Sequence, residues 1–318
     1  MSDKNNLPVL SIIVPCYNEQ DMLPAFYKES NLMLTDFMNS GNISSWEYIF
    51  VDDGSTDDTL QVLQSLSEQD KHIHYISFSR NFGKESALLA GLRKSCGKFV
   101  VTMDADLQDP PSLIQNMFEA VSKQGFDCTG TRRVNRIGEP PIRSFFARCF
   151  YKIMAKITDI EVVDGARDFR LMSRRYVDAI LSLPERNRFS KGIFPWIGFK
   201  TKWFEYKNIK RVAGTTKWSF WKLFVYSLDG IIAFSTKPLA IASLFGMLLC
   251  LVAFIGTIAV IIQKFAMQVP DVGWSSLVCI ILFVGGVQLF TTGILGQYLA
   301  KIYTEIKQRP HYIIKEEI

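Results

Sequence analysis

The spacing of hydrophobic and polar positions changes once along the chain, near residue 238. Up to about residue 217, short apolar runs alternate with longer segments whose apolar residues recur every three or four positions. Short runs of this kind predict buried strands, and the longer segments predict amphipathic helices. The predicted strands are residues 10–15, 46–51, 74–78, 98–103 and 126–131, and the predicted helices are residues 20–38, 58–69, 86–94 and 111–124. Because strands and helices alternate with short connections, we predict an α/β fold with an open parallel sheet.

A different pattern begins at Pro238. Residues 239–262 and 274–298 contain no charged side chain, and each run exceeds the roughly 20 apolar residues that span a bilayer. We therefore predict a two-helix transmembrane hairpin over residues 238–300, preceded by an interfacial helix at residues 218–237. Basic residues flank the outer ends of the hairpin, which places residues 1–217 and the tail at 301–318 in the cytoplasm.

Composition refines this picture. The 318 residues are 48% hydrophobic and include 24 Phe, which is rich for a purely soluble protein. A net charge of +5 is modest for a nucleic-acid-binding protein. Six Cys without CxxC or paired spacing favour reduced thiols, and three His without ligand-like spacing argue against a zinc site or a His-based triad. The N-terminus lacks the pattern of a cleavable signal peptide.

The strongest candidate for chemistry follows the strand predicted at 98–103. Asp104 and Asp106 are separated by Ala105, so in extended backbone their carboxylates point to the same side. Two anions held together repel, and a cation between them relieves the repulsion. Carboxylate oxygens, with the Gln108 carbonyl nearby, are suitable ligands for Mg²⁺ or Mn²⁺.

Polar residues also follow two other predicted strands. Asn18 and Glu19 follow the first strand, and Asp52 and Asp53 end the second. In an open parallel sheet, ligands bind at the carboxyl ends of the strands, so these side chains are expected to converge on one crevice. The glycine patterns GxGxxG and GxxxxGK[ST] are absent. A crevice of this kind would hold a diphosphate through a metal rather than through a glycine-rich loop.

Basic residues suggest what else the crevice contacts. Residues 132–156 interleave cations such as Arg132 and Arg143 with aromatic side chains. This pattern suits an anionic membrane surface or single-stranded nucleic acid, and the predicted membrane spans favour the membrane. Arg211 and Lys217 flank a small-residue turn that could close over a diphosphate. The combination predicts transfer from a nucleotide-activated donor to a lipid-linked anionic acceptor.

Several motifs carry a resemblance to a known family. Val14–Glu19, Val51–Ser55, Arg80–Lys84, Asp104–Pro111 and Asp168–Leu171 resemble the motifs of family 2 glycosyltransferases of the polyprenyl-phosphate type. That group includes dolichyl-phosphate mannose synthase and the bacterial bactoprenol glucosyltransferases, and the two apolar spans match the latter branch. The resemblance implies a GT-A (Rossmann-like) fold, a nucleoside-diphosphate sugar donor, Mg²⁺ or Mn²⁺, and inversion at the anomeric carbon.

The resemblance also implies a role for each residue at a matching motif position. The implied nucleotide-sugar contacts are Pro15, Tyr17, Glu19, Asp52, Asp53, Asp104, Ala105, Arg211 and Lys217; the metal contacts are Asp104, Asp106 and Gln108; the lipid-phosphate contacts are Arg132 and Arg143; and the catalytic residues are Asp168 and Asp106. Asp168 has three possible roles here: it orients Arg170 or the acceptor, stabilises positive charge on the sugar, or acts as a base. The turn at residues 214–217 departs from the family's Gly-Glu-Ser-Lys pattern.

The predicted function is transfer of glucose from UDP-glucose to undecaprenyl phosphate, for modification of surface glycans. The expected location is the bacterial inner membrane, with two spans, a cytoplasmic catalytic domain and a homotetramer implied by the resemblance, and with no nucleic-acid partner. Other donors remain open: GDP-mannose, UDP-GlcNAc or an aminoarabinose nucleotide. A non-catalytic membrane scaffold is the alternative from another class. A processive polysaccharide synthase is disfavoured, because two spans are too few for a translocation channel and the Gln-x-x-Arg-Trp motif is missing.

Overall fold

The computed structural model describes residues 9–133, 163, 165–206, 230–267 and 273–318. Arg143, Arg211 and Lys217 lie outside these residues, as do most of the basic segment at 132–156 and the first part of the predicted interfacial helix. The chain divides into two compact units. The first combines Met1–Phe224 with Arg309–Ile318, and the second is Val225–Gln308.

The first unit is built on one sheet of eight strands in the order β7-β5-β6-β4-β1-β2-β3-β8. The strands are β1 (Leu10–Cys16), β2 (Trp46–Asp52), β3 (Ile73–Phe78), β4 (Phe99–Thr102), β5 (Cys128–Arg133), β6 (Ala166–Ser173), β7 (Thr201–Tyr206) and β8 (Ile314–Glu317). All seven residues of β2 are buried, as expected for a strand covered on both faces. The five strands predicted from apolar runs match β1 to β5 within two residues at each end.

Helices pack against this sheet. Within the first unit they are α1 (Leu23–Asn39), α2 (Thr59–Gln69), α3 (Lys84–Lys94), α4 (Leu113–Lys123), α5 (Arg174–Leu181) and α6 (Ser190–Trp196). The predicted helices correspond to α1 to α4, and α3 begins two residues before the predicted start at residue 86. Ile114 and Met117 on the apolar face of α4 are fully buried, as their spacing predicted.

Strand β1 continues one residue beyond the predicted end at Pro15. The carbonyl of Ile13 accepts a hydrogen bond from the amide of Met103, on the β4 side of the strand. Pro15 lies two residues further and faces the same side, but the pairing with β4 ends at Ile13 and Thr102. No partner therefore requires the amide hydrogen that proline lacks, and β1 stays paired with β2 as far as Cys16.

The sheet is mixed rather than wholly parallel. Strands β1 to β4 pair in parallel, but β6 lies between β4 and β5 and is antiparallel to both. Sequence patterns did not predict β6 or β7, because their apolar positions are interrupted by charged residues such as Asp168 and Glu205. The consequence is functional, since β6 carries Asp168 into the edge where the parallel strands end.

The last residues of the chain complete the sheet. Strand β8 pairs antiparallel with β3, and the Tyr312 ring stacks on Phe78 with 4.8 Å between centroids and 12° between planes. The carbonyl of Ile313 accepts a hydrogen bond from the Ser79 amide at 3.0 Å. Of the tail predicted at residues 301–318, residues 309–318 therefore belong to the α/β unit, whereas residues 301–307 continue the second apolar helix.

The second unit contains two long apolar helices, α7 (Lys237–Met267) and α8 (Trp274–Lys307). Within them, Lys237–Val260 and Leu277–Lys307 are long and apolar enough to cross a membrane. Helix α8 extends nine residues past the predicted span end at Tyr298, because the helical backbone continues into a polar segment that includes Lys301 and Glu305. It ends at Lys307, and the capping residue Gln308 has a left-handed backbone.

We predict that Tyr312→Ala lowers the thermal stability of the α/β unit, because it removes a ring stacked on the buried Phe78. The expected loss is roughly 1–2 kcal/mol, the usual contribution of a stacked aromatic pair with its buried area. Thermal unfolding of the purified full-length protein measures this loss. Tyr312→Phe keeps the ring and serves as the matched control. Equal melting temperatures for the two variants would contradict the predicted contribution.

Candidate active site

The carboxyl ends of the parallel strands bring the predicted acids together. Asp104 follows β4, Asp52 ends β2, and Tyr17 follows β1. Lys84 begins the helix that follows β3, and Asp168 enters from the antiparallel strand β6. Segments far apart in sequence therefore meet at one edge of the sheet, as expected for an open parallel sheet.

One lysine joins two of the predicted acids. The Lys84 ammonium lies 2.6 Å from Asp104 Oδ1 and 2.6 Å from Asp168 Oδ2. The Thr102 hydroxyl donates to the backbone carbonyl of Asp168 at 2.6 Å and fixes the strand beside β4. The side chains of Lys84, Asp104 and Asp168 are 38%, 25% and 21% exposed, respectively, so all three are accessible to a ligand.

The ion pairs set the charge state of this cluster. Burial alone would raise the pKa of Asp168, but the Lys84 ammonium, with a further contribution from Lys191, holds that pKa well below its usual range. Burial alone would lower the pKa of Lys84, yet Asp104 and Asp168 hold it well above its usual value. Asp168 is consequently a carboxylate, and Lys84 an ammonium, across the neutral range.

Asp52 and Asp53 are both buried, and both shape the neighbouring loops. Asp52 accepts hydrogen bonds from the Ser55 amide at 3.0 Å and from the Ser77 hydroxyl at 2.8 Å. Asp53 accepts from the amides of Phe82 and Gly83. Asp53 thereby holds the segment that leads into α3 against the end of β2, while Asp52 fixes the turn at Ser55 and the end of β3. Contact of either carboxylate with a nucleotide stays a prediction.

Glycine is required where these two loops meet. Gly54 has φ +65°, and a Cβ placed on it would lie 2.3 Å from the backbone carbonyl carbon of Arg80. Any side chain at Gly54 would push the Arg80–Lys84 segment away from Asp53. The Asp-Asp-Gly sequence therefore places the start of α3, and with it Lys84.

The loop after β1 is tied to the loop before α2. The amide of Asn18 donates to the Ser55 hydroxyl at 2.9 Å, and the amide of Glu19 donates to the Thr59 hydroxyl at 2.8 Å. Asn18 adopts a left-handed backbone with φ 53°, which asparagine tolerates better than most residues. Tyr17 and Glu19, predicted to contact the nucleotide, are half-buried on this braced loop.

The Asp-x-Asp loop provides two oxygen-ligand side chains rather than a complete cage. Asp106 Oδ1 accepts from the Gln108 amide at 3.2 Å, and the Gln108 side-chain oxygen accepts from Arg133 at 2.8 Å. Within the described residues, no group of three or more His, Cys, Asp or Glu side chains forms a metal site. The carboxylates of Asp104 and Asp106 suit a hard cation that takes its remaining ligands from a diphosphate or water.

A second charged cluster, centred on Asp109, supports the loop that follows β4. Asp109 is 1% exposed, lies 3.4 Å from the Arg167 Nε, and accepts a hydrogen bond from the Tyr206 hydroxyl. Burial raises the pKa of Asp109, whereas Arg167 opposes that rise. Because Arg133 also bonds to Gln108, this cluster ties the loop after β4 to β5, β6 and β7.

Arg132 and Arg133 point to different partners. Arg132, predicted to contact the lipid phosphate, pairs with Glu205 on the exposed face of β7. Arg133 contacts Gln108 beside the acids. Sequence analysis assigned no role to Lys84, Asp109, Arg133, Arg167 or Tyr206. Lys84 and Asp109 belong to segments that carry the family resemblance, but no local pattern marks Tyr206, which reaches Asp109 across 97 residues.

The mixed sheet and the acids at the carboxyl edge of β1, β2 and β4 define an α/β enzyme fold of the GT-A type, as predicted. Residues 11–181 match the family described as Glycosyl transferase family 2. The chain belongs to this family and is a glycosyltransferase, which confirms the predicted family and enzyme class.

Relatives extend this similarity over nearly the whole chain. The bactoprenol glucosyl transferase of Shigella phage SfV is 40% identical over 308 residues, covering 97% of this chain and 98% of the relative. A prophage bactoprenol glucosyl transferase homolog of Escherichia coli K12 is 39% identical over 306 residues, covering 96% and 98%. An uncharacterized glycosyltransferase of Synechocystis is 39% identical over 307 residues, covering 96% and 95%.

We predict that Asp109→Asn destabilises the protein by about 3 kcal/mol, because it removes the carboxylate that is paired with Arg167 in a largely buried position. Glu205→Gln is the matched control, since it removes the carboxylate of an exposed arginine pair on a neighbouring strand. Exposed pairs contribute about 0–1 kcal/mol, so this control should change little. Thermal unfolding of both variants measures the contrast, and equal losses would contradict the support assigned to Asp109.

Proposed function

We propose that the protein transfers glucose from UDP-glucose to undecaprenyl phosphate, with inversion at the anomeric carbon. The observation that carries this proposal is the cluster of Asp104, Asp168 and Lys84 at the carboxyl edge of the sheet, in a chain that also has two helices of membrane-spanning length. The names of the phage and E. coli relatives support both the sugar and the lipid. The product would be a lipid-linked donor for the modification of surface glycans.

The donor would bind where the loops after β1, β2 and β4 meet. Tyr17, Glu19 and Asp53 belong to the loops proposed to contact the nucleoside, together with Pro15, Asp52 and Ala105. Asp104 and Asp106, with Gln108 beside them, would hold Mg²⁺ or Mn²⁺. When bound, such an ion supplies charge compensation to the departing diphosphate. Arg211 and Lys217 are proposed to contact the donor phosphates from the other side.

The charge state of Asp168 argues for a positioning role rather than a basic one. A phosphate monoester has its second pKa near 6, so the acceptor oxygen already carries negative charge at neutral pH. Lys84 holds the pKa of Asp168 below its usual range, which makes this carboxylate a poor proton acceptor. Asp168 would orient the reacting groups and stabilise positive charge that develops on the sugar as the diphosphate leaves.

A membrane-bound acceptor would explain why the second unit of the chain consists of two helices of membrane-spanning length. A polyprenyl phosphate stays in the bilayer, and α7 and α8 would keep the enzyme at the same surface. Lys237 precedes the hairpin, and Lys301 and Lys307 lie near its end, so the α/β unit is proposed to face the cytoplasm of a bacterial inner membrane. Arg132 and Arg143 are proposed to contact the lipid phosphate, in a homotetramer without a nucleic-acid partner.

A donor screen tests this proposal. Purified protein is incubated with undecaprenyl phosphate, Mg²⁺ and labelled UDP-glucose, GDP-mannose, UDP-GlcNAc or an aminoarabinose nucleotide, and lipid-extractable label is counted. UDP-glucose should give the strongest signal, and Asp106→Ala should give none while it stays folded and membrane-bound. A stronger signal from another donor would replace glucose with that sugar. No label from any donor would favour a non-catalytic scaffold.

We predict that Asp168→Asn retains donor binding but loses at least about 100-fold in turnover, because the amide removes a negative charge that acts only at the reacting centre. Donor affinity is measured by calorimetry with UDP-glucose, and turnover by the lipid-extraction assay. The pH dependence adds a second readout. If Asp168 were a general base, it would be needed most when the acceptor phosphate still carries its second proton, so the loss in turnover would grow as the pH falls through about 6. Full turnover in the variant would refute the assigned role.

A further inference from the structure

The position of Lys84 is unfavourable for a cation on local grounds. It is the first residue of α3, at the end of the helix where the backbone amides give a positive potential. The neighbouring Glu85 follows the ordinary preference for an acid in the first turn. Lys84 is compensated instead by Asp104 and Asp168, both at 2.6 Å. Both carboxylates in contact with the ammonium are active-site residues.

The backbone around Lys84 is fixed, although its side chain is long. The Gly83 amide donates to Asp53, and Glu85 accepts hydrogen bonds from the amide and hydroxyl of Ser190 at the start of α6. The start of α3 therefore cannot shift easily. The ammonium, carried on a flexible four-carbon stem, is free to change partners within reach of that fixed point.

The two carboxylates share this ammonium as a direct contact, and Lys191 and Arg167 add positive potential at Asp168. The carboxylate oxygens each lie 2.6 Å from the same nitrogen, so they are no more than twice that distance apart. Two carboxylates this close repel strongly unless a cation lies between them. In the described structure the Lys84 ammonium is that cation, and it contacts one of the two acids of the Asp-x-Asp loop.

We propose that Lys84 is a built-in counter-cation that competes with the divalent metal for Asp104 until a donor diphosphate is present. In the donor-free enzyme, Lys84 neutralises Asp104 and weakens the binding of metal alone. The diphosphate, as a polyanion, then draws the ammonium from Asp104, so that metal and donor bind together. Lys84 is thus a positioning residue whose partner exchange couples the two binding events. The donor step rests on the proposed function, but the competition for Asp104 does not.

Metal binding without donor tests the competition directly. Purified full-length protein is titrated with Mn²⁺ alone, and free Mn²⁺ is followed by electron paramagnetic resonance. Lys84→Met should bind Mn²⁺ on the order of tenfold more tightly than wild type, because the competing charge is gone. Lys84→Arg keeps the charge and should stay within about threefold of wild type. Addition of UDP should reduce the difference in Mn²⁺ affinity between wild type and Lys84→Met, because the diphosphate draws the Lys84 ammonium away from Asp104 in the wild type.

A lysine on the same helix provides the matched control. Lys94 in the last turn of α3 lies 3.4 Å from Glu317 and is 36% exposed, close to the 38% of Lys84. Lys94→Met removes one positive charge from the same helix and should leave Mn²⁺ affinity unchanged. Equal or weaker Mn²⁺ binding in Lys84→Met than in wild type would overturn the proposal. So would an equal gain in Lys94→Met, which would indicate a general effect of net charge.

A second pair of variants keeps the test decisive if repulsion unfolds Lys84→Met. Asp168→Asn removes one of the two carboxylates, so the double variant Lys84→Met with Asp168→Asn should fold. The double variant should bind Mn²⁺ more tightly than Asp168→Asn alone, and equal affinity would refute the competition. Because Mn²⁺ is the only ligand, these comparisons stand even if the donor screen finds no sugar transfer. If the donor screen succeeds but Lys84→Met has the same Mn²⁺ affinity as wild type, the role proposed for Lys84 is refuted and the proposed function is not.

Discussion

Compensation of negative charge at one edge of the sheet is the constraint on which the site depends. Several parallel strands end there, and each delivers carboxylates whose mutual repulsion opposes folding. The structure meets this cost locally: backbone amides bind Asp53, Arg167 binds the buried Asp109, and Lys84 binds Asp104 and Asp168. Of these three arrangements, the last uses a half-buried lysine whose long side chain can change partners. The first two hold the loops still, and the third leaves two acids available to a ligand.

Features set by local sequence pattern could be predicted from the sequence, whereas features set by contacts between distant segments could not. Strands β1, β2 and β4 are short, mostly apolar runs in a buried sheet, so their pattern can be recognised from the local sequence. The pairing of Asp104 with Asp106 follows from alternation along an extended backbone. The short strand β8 has four residues, mostly exposed, and its assignment depends on pairing with a distant β3. Lys84 and Tyr206 were missed for that reason, since their partners are set by sheet order rather than by neighbours in sequence.

Charge state also narrows the chemistry that the site can perform. A carboxylate held ionised beside an ammonium cannot readily accept a proton, whereas it can orient ligands and stabilise nearby positive charge. Glycosyl acceptors that are neutral hydroxyls need a base, and acceptors that are phosphates do not. The environment of Asp168 therefore agrees with an acceptor that arrives already ionised, an argument independent of the names of the relatives.

The return of the chain to the sheet at β8 has a consequence for how the protein is made. The Tyr75 hydroxyl donates to Glu316 across 241 residues, and Gln64 reaches the same carboxylate across 252. The two apolar helices lie between these partners in the sequence, so topologically the hairpin is an insertion within the α/β unit. During synthesis the last strand leaves the ribosome after both helices. The edge of the sheet is therefore completed only once the hairpin has been translated, so the α/β unit cannot finish folding before both apolar helices have been synthesised.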